Sequence, residues 1–178
     1  MKMKIGICSD IHDNIPNLKK AKGIFEKQKI EEVFFCGDLV SPFTLSFLRD
    51  WSWSIKAVFG NNEGDKWGIK RRLEKYRLDQ IQYPKKGITW ELKRKGTKIV
   101  IYHGNSSPVT EALVNCGKYD LVCSGHTHEP QVKRVDKTLW INPGSVTGVS
   151  ENPKIKSGSV AVYNLETEKA EIIYLGNR

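Results

Sequence analysis

Apolar residues in the first half of the chain fall into short runs separated by amphipathic stretches. Residues 4–9, 32–36 and 55–59 are runs of buried-strand length. Between them, residues 16–27 carry Leu18, Ala21, Ile24 and Phe25 at helical spacing, with Pro16 suited to a first turn. Residues 42–50 read as a second helix, and 65–76 as a basic amphipathic helix anchored by Trp67, Ile69 and Leu73. The second half is richer in strands. Residues 88–93 alternate and lead through Lys95-Gly96 into 98–102, the pattern of a hairpin. Residues 108–116 read as a helix and 119–123 as a strand; 131–135 with 138–142, and 160–164 with 170–175, read as two more hairpins. No repeat, linker or composition break appears, so residues 1–178 are expected to form one domain. So many strands fit one sheet poorly. The expected fold is α/β, with two packed β-sheets forming a sandwich flanked by helices.

The residues that follow the apolar runs change the picture. Ile5-Gly6-Ile7-Cys8 is followed by Ser9-Asp10-Ile11-His12, Val33-Phe34-Phe35-Cys36 by Gly37-Asp38, and Ala57-Val58-Phe59 by Gly60-Asn61-Asn62-Glu63. Ile99-Val100-Ile101-Tyr102 is followed by His103-Gly104, and Leu121-Val122-Cys123 by Ser124-Gly125-His126-Thr127-His128. Each run delivers an oxygen or nitrogen ligand at its carboxyl end, where the ligands of an open α/β sheet gather. All 4 histidines of the chain lie in these segments. A mixed carboxylate, amide and imidazole set favours borderline divalent ions over calcium or magnesium. Asp10, His12, Asp38, Asn61, His103, His126 and His128 exceed the need of one tetrahedral ion. Two divalent metals sharing a carboxylate fit better, and such a pair activates a bridging hydroxide against a phosphoryl group. Manganese or nickel lead, with iron, cobalt and zinc as the other candidates.

Composition adds limits. Net charge is +9, which attracts a phosphate-bearing small molecule or nucleic acid, although a Lys-rich surface is the plainer reading. No apolar run reaches the ~18–20 residues that span a bilayer. After Met1-Lys2-Met3-Lys4 the apolar stretch is too short for a secretory signal, so a cytoplasmic protein without membrane contact is expected. Cys8, Cys36, Cys116 and Cys123 form no C-x-x-C pair, and all but Cys116 read as small core residues.

The segments Ser9-Asp10-Ile11-His12, Cys36-Gly37-Asp38, Gly60-Asn61-Asn62-Glu63, His103-Gly104 and Gly125-His126-Thr127-His128, with Ile141-Asn142-Pro143-Gly144-Ser145, resemble those of the calcineurin-like metallophosphoesterase superfamily. The nearest likeness is to its small single-domain phosphodiesterases of the YfcE type. The resemblance implies a metal-dependent phosphodiesterase. It implies that Asp10, His12 and His128 hold one metal, that Asn61, His103 and His126 hold the other, and that Asp38 bridges. Asp38, Asn61, Asn62 and His103 are then the expected catalytic positions. Two departures concern the proton donor. Many members have His where this chain has Asn62, and an H-G-H triplet where it has His103-Gly104-Asn105. Neither amide serves as a general acid near neutral pH.

Two other readings compete. The retromer subunit Vps29 resembles this fold and works as a binding scaffold, but its metal ligands are eroded, whereas all seven positions here carry competent ligands. A nuclease is supported only by the basic charge. The substrate and the oligomeric state, a homo-oligomer included, are left open by the sequence. Asp13 and Asn14 are expected to cap the helix that begins near Pro16, with support of His12 by Asp13 as the alternative. The tryptophans are expected to pack, with Trp67 placed to border a substrate pocket.

Overall fold

The computed structural model describes residues 3–176. Met1 and Lys2, the start of the basic N-terminal stretch, lie outside them. The first sheet runs β11-β10-β1-β2-β3-β4, built from β1 (Lys4–Cys8), β2 (Glu32–Phe35), β3 (Ser54–Ala57), β4 (Ile81–Gln82), β10 (Ser159–Asn164) and β11 (Lys169–Tyr174). Strands β1 to β4 are parallel. The β10–β11 hairpin joins the free edge of β1 antiparallel, with Ile7 opposite Ala161. The second sheet runs β5-β6-β7-β9-β8, from β5 (Trp90–Arg94), β6 (Thr97–Ile101), β7 (Leu121–Cys123), β8 (Gln131–Val135) and β9 (Thr138–Asn142). Its three inner strands are parallel, and its two outer strands are antiparallel hairpin arms.

Strand alternation sorts side chains between two layers. Ile5, Ile7 and Phe34 meet Ile99, Ile101, Leu121, Cys123 and Ile141 between the sheets. The opposite face of the first sheet presents Val33 and Phe35 to Leu18, Ala21 and Phe25 of α1 (Ile15–Gln28). Behind the second sheet, Val100 and Val122 pack on Val114 of α3 (Ser107–Asn115). The expected sandwich of two sheets flanked by helices is therefore the observed one. Each of the fully buried aliphatic or aromatic side chains contributes ~1.5–3 kcal/mol to holding these layers together. Cys8, Cys36 and Cys123 are buried and Cys116 is exposed, as the apolar runs imply. Burial pushes the Cys8 thiol up to about 12, so it stays protonated and unreactive.

Two local expectations are corrected, and one strand was not expected. Residues 42–50 form a short 3-10 helix, Pro42–Phe47, rather than an α-helix. Asp13 holds its first turn, accepting from the Ser41 amide at 3.1 Å and from the Thr44 hydroxyl. In α2 (Lys66–Lys75), Ile69 is buried and Leu73 packs on the core, but Trp67 is 70% exposed and anchors nothing. Strand β4 has 2 residues, too few for an alternation to be read.

Candidate metal centre

The parallel strands of both sheets release their carboxyl ends at one edge, and backbone bonds knit the emerging loops together. The amides of Asp10 and Ile11 donate to the carbonyls of Gly37 and Asp38 at 2.9 Å each, joining the β1 and β2 loops. The loop after β9 closes over the same place, with the Val146 amide on Ser9 O at 2.9 Å and the Thr147 amide on Asp10 O at 3.0 Å. From the second sheet, the His126 amide reaches Asp10 Oδ2 at 3.0 Å. Asp10, His12, Asp38, His126 and His128 all adopt positive φ, between 43° and 71°. Such backbone costs roughly 1 kcal/mol or more at a non-glycine residue and persists where the surroundings force it.

The result is a compact polar cluster. His12 Nε2 lies 3.8 Å from Asp10 Oδ1 and 3.5 Å from Asp38 Oδ2. His128 Nε2 lies 3.2 Å from Asp10 Oδ1, and His103 Nε2 lies 3.5 Å from Asp38 Oδ2. Asp10, His12 and His128 form one set whose ligand atoms fall within 4.8 Å of one another, and Asp10, Asp38 and His103 form a second. Asn61 Oδ1 is 2.9 Å from His103 Nε2. His126 joins through its ring, edge-on to His103 with centroids 5.2 Å apart. All seven ligands expected from the sequence thus lie in one neighbourhood.

Second contacts orient the rings. His103 Nδ1–H donates to the Cys36 carbonyl at 2.7 Å, and His128 Nδ1–H to the Val149 carbonyl at 2.5 Å. In each neutral ring this leaves the lone pair on Nε2, aimed at the carboxylates.

The donor set fits a metal. Asp10 Oδ1 and His12 Nε2 are buried without a partner of hydrogen-bond geometry, a costly arrangement that a shared cation relieves. The walls leave space through glycine. A Cβ on Gly60 would lie 2.1 Å from Asp38 Oδ1, and one on Gly125 would lie 2.7 Å from Asp10 Oδ2. Burial alone would raise the Asp10 carboxyl, yet the facing His12 and His128 rings hold it well below the usual range. Asp38 is likewise opposed by burial, but His103 and the Asn62 amides bring it down to about 2. Against the pull of burial, Asp38 raises His103 and Asp10 raises His128. Burial and the His103 charge lower His126. Two carboxylates with lowered pKa, ringed by imidazoles, suit a borderline divalent cation.

Asn62 is exposed to solvent, yet it is engaged with the cluster. Its backbone and side-chain nitrogens donate to the two oxygens of Asp38 at 2.8 and 2.7 Å. Asn14 caps α1 by accepting from the Asn17 amide at 3.1 Å. The cap belongs to Asn14 alone, because Asp13 is engaged with Ser41 and Thr44. Glu63 closes the Gly60-Asn61-Asn62-Glu63 segment, and the sequence assigns it no role. Its buried carboxylate accepts from Leu39 N at 3.0 Å and from Gly60 N at 2.6 Å, tying the Asp38 loop to the Asn61 loop. Burial raises its pKa and the two amides oppose that rise. The only signal for this role is a carboxylate beside glycine-rich turns that need their amides satisfied.

Comparison with known proteins places the chain in a family. The model of the calcineurin-like phosphoesterase superfamily domain matches residues 3–168. The phosphodiesterase MJ0936 of Methanocaldococcus jannaschii is 37% identical over 169 residues, covering 95% of this chain and 96% of its own. A solved structure of an archaeal phosphodiesterase superposes with a TM-score of 0.85 at 32% identity, covering 97% of this chain and 99% of the other. The E. coli phosphoesterase YfcE has a TM-score of 0.67 at 16% identity, covering 98% of this chain and all of its own, and speaks for the fold alone. With the family model matching residues 3–168 and a 37% identical relative covering 95% of the chain, the chain belongs to the calcineurin-like phosphoesterase superfamily.

Proposed function

We propose that this protein is a metal-dependent phosphodiesterase whose two divalent ions are held by Asp10, His12 and His128 on one side and by Asn61, His103 and His126 on the other, with Asp38 between them. The observation that carries the reading is that the buried atoms Asp10 Oδ1 and His12 Nε2 face neighbouring imidazoles and carboxylates without a bond of hydrogen-bond geometry. Bound there, the metal pair would supply hydroxide at neutral pH and would neutralise charge on the phosphoryl oxygens. Manganese or nickel suits the mixed ligand set.

The remaining work falls to the chain. Gly60 and Gly125 keep the centre open to a phosphoryl group. Asn62 fixes the Asp38 carboxylate, so its amide orients a ligand rather than donating a proton. Asn105 is exposed at the rim and can donate a hydrogen bond to a phosphate oxygen. Neither residue protonates a leaving group, so the reading favours esters whose leaving group departs as an anion, aryl esters first. The test is hydrolysis of bis(4-nitrophenyl) phosphate by protein loaded with manganese or nickel. Asp38→Ala and His126→Ala should each lower kcat/KM by about 10³-fold or more, the several kcal/mol that metal stabilisation supplies. Unchanged turnover in both variants refutes the mechanism.

A further inference from the structure

We infer that a cavity of about 270 Å³ beside the metal centre is the subsite for the ester substituent that is retained, and that it selects an aromatic substituent carrying its own negative charge. This deepens the phosphodiesterase reading above and rests on it. The cavity is bounded by Phe59, Gly60, Lys66, Pro84, Ile88 and Asn105. Two of these join it to the metal ligands. Gly60 precedes Asn61, and its backbone lies against Asp38 and His103. Asn105 follows the His103-Gly104 turn. A substrate whose phosphorus sits at the centre therefore has this cavity next to it.

The lining chemistry is mixed in a specific way. The Phe59 ring is stacked on Tyr83, with centroids 4.2 Å apart and planes 18° from parallel, so its orientation is fixed. Ile88 is 61% exposed and Pro84 adds a second apolar surface. Apolar side chains placed together at the mouth of a polar centre are covered favourably by a flat apolar group. Lys66 and Lys70 set their ammonium groups 5.6 and 5.9 Å from the Phe59 centroid. Of the two, Lys66 lines the cavity, its side chain is exposed, and no carboxylate is among the lining residues. The volume lies just under the ~300–1,000 Å³ that encloses a whole drug-sized ligand, which suits one substituted ring. A carboxylate or second phosphate on that ring would meet Lys66.

The test uses manganese-loaded protein and three phosphodiesters that share a 4-nitrophenyl leaving group. The second substituent is methyl, phenyl or 4-carboxyphenyl. The expected order of kcat/KM is methyl below phenyl below 4-carboxyphenyl. Lys66→Met should lower the 4-carboxyphenyl to phenyl ratio about three- to fivefold, as befits a partly exposed charge pair. Ile88→Gln should lower the phenyl to methyl ratio by about two- to fivefold through lost apolar contact. Lys118→Met, which removes an exposed lysine paired with Glu91 instead, should preserve both ratios. Calorimetric binding of phenylphosphonate and 4-carboxyphenylphosphonate to the wild type and Lys66→Met supplies a readout free of turnover. Turnover with no lysine-dependent preference in either assay overturns the subsite. Lysine-dependent binding without turnover of any ester overturns the phosphodiesterase reading and leaves the subsite standing. Absence of both effects overturns both.

Discussion

Glu63 holds two ligand-bearing loops with one carboxylate, and its substitution separates framing from ligation. In Glu63→Gln one amide oxygen still accepts, but the NH₂ group then faces a backbone N–H that it cannot bond. The loss should cost about 1–3 kcal/mol of stability, measured by urea unfolding of the metal-free protein. An unfolding curve that coincides with the wild type contradicts the role. The candidate metal ligands are legible in the sequence because each lies in the loop that a strand releases at its carboxyl end, and each is a residue type with an available lone pair. Glu63 is not, since its partners are backbone amides that any residue could supply. The division of labour between Asp13 and Asn14 was also hidden. Both are good cap residues, and only the approach of Ser41 and Thr44 draws Asp13 away. Trp67 shows the opposite error, an aromatic at a helical spacing that nonetheless faces solvent.

Between elements, Arg94 of β5 reaches across the sandwich to Glu32 of β2. Nε donates to Oε2 at 2.7 Å and Nη2 to Oε1 at 2.6 Å, a bidentate pair in which Glu32 is only 5% exposed. Alternation places Glu32 on the same face as Phe34, and Arg94 on the same face as Leu92, both toward the space between the sheets. Arg94→Ala leaves a buried carboxylate alone and should cost about 2–4 kcal/mol, read as a lower urea midpoint at unchanged slope. A midpoint equal to the wild type contradicts the cross-sheet pairing. The strands and hairpins were legible because their apolar runs are long enough for the two-residue period to register. The 3-10 turn after β2 was not, because its apolar spacing is compatible with either helix type and Asp13 fixes the tighter one from another loop.

At the scale of the whole molecule, the two-sheet sandwich followed from a count of strands, but the order of strands did not. The register of β1 against β10 joins residues at opposite ends of the chain, and no local pattern encodes it. That pairing places the strand that ends in Asp10 and His12 in the interior of its sheet, facing the second sheet that brings His103, His126 and His128. The centre is therefore a product of both sheets and of no single segment. No helix among the described residues is long and apolar enough to cross a membrane. The proposed centre predicts two metal ions per chain. Protein stripped of metal with a chelator and titrated with manganese, with hydrolysis of bis(4-nitrophenyl) phosphate followed at each addition, should gain turnover until about two equivalents per chain are bound. Saturation at a single equivalent, or no turnover at any loading, would contradict a centre of two metals bridged by Asp38.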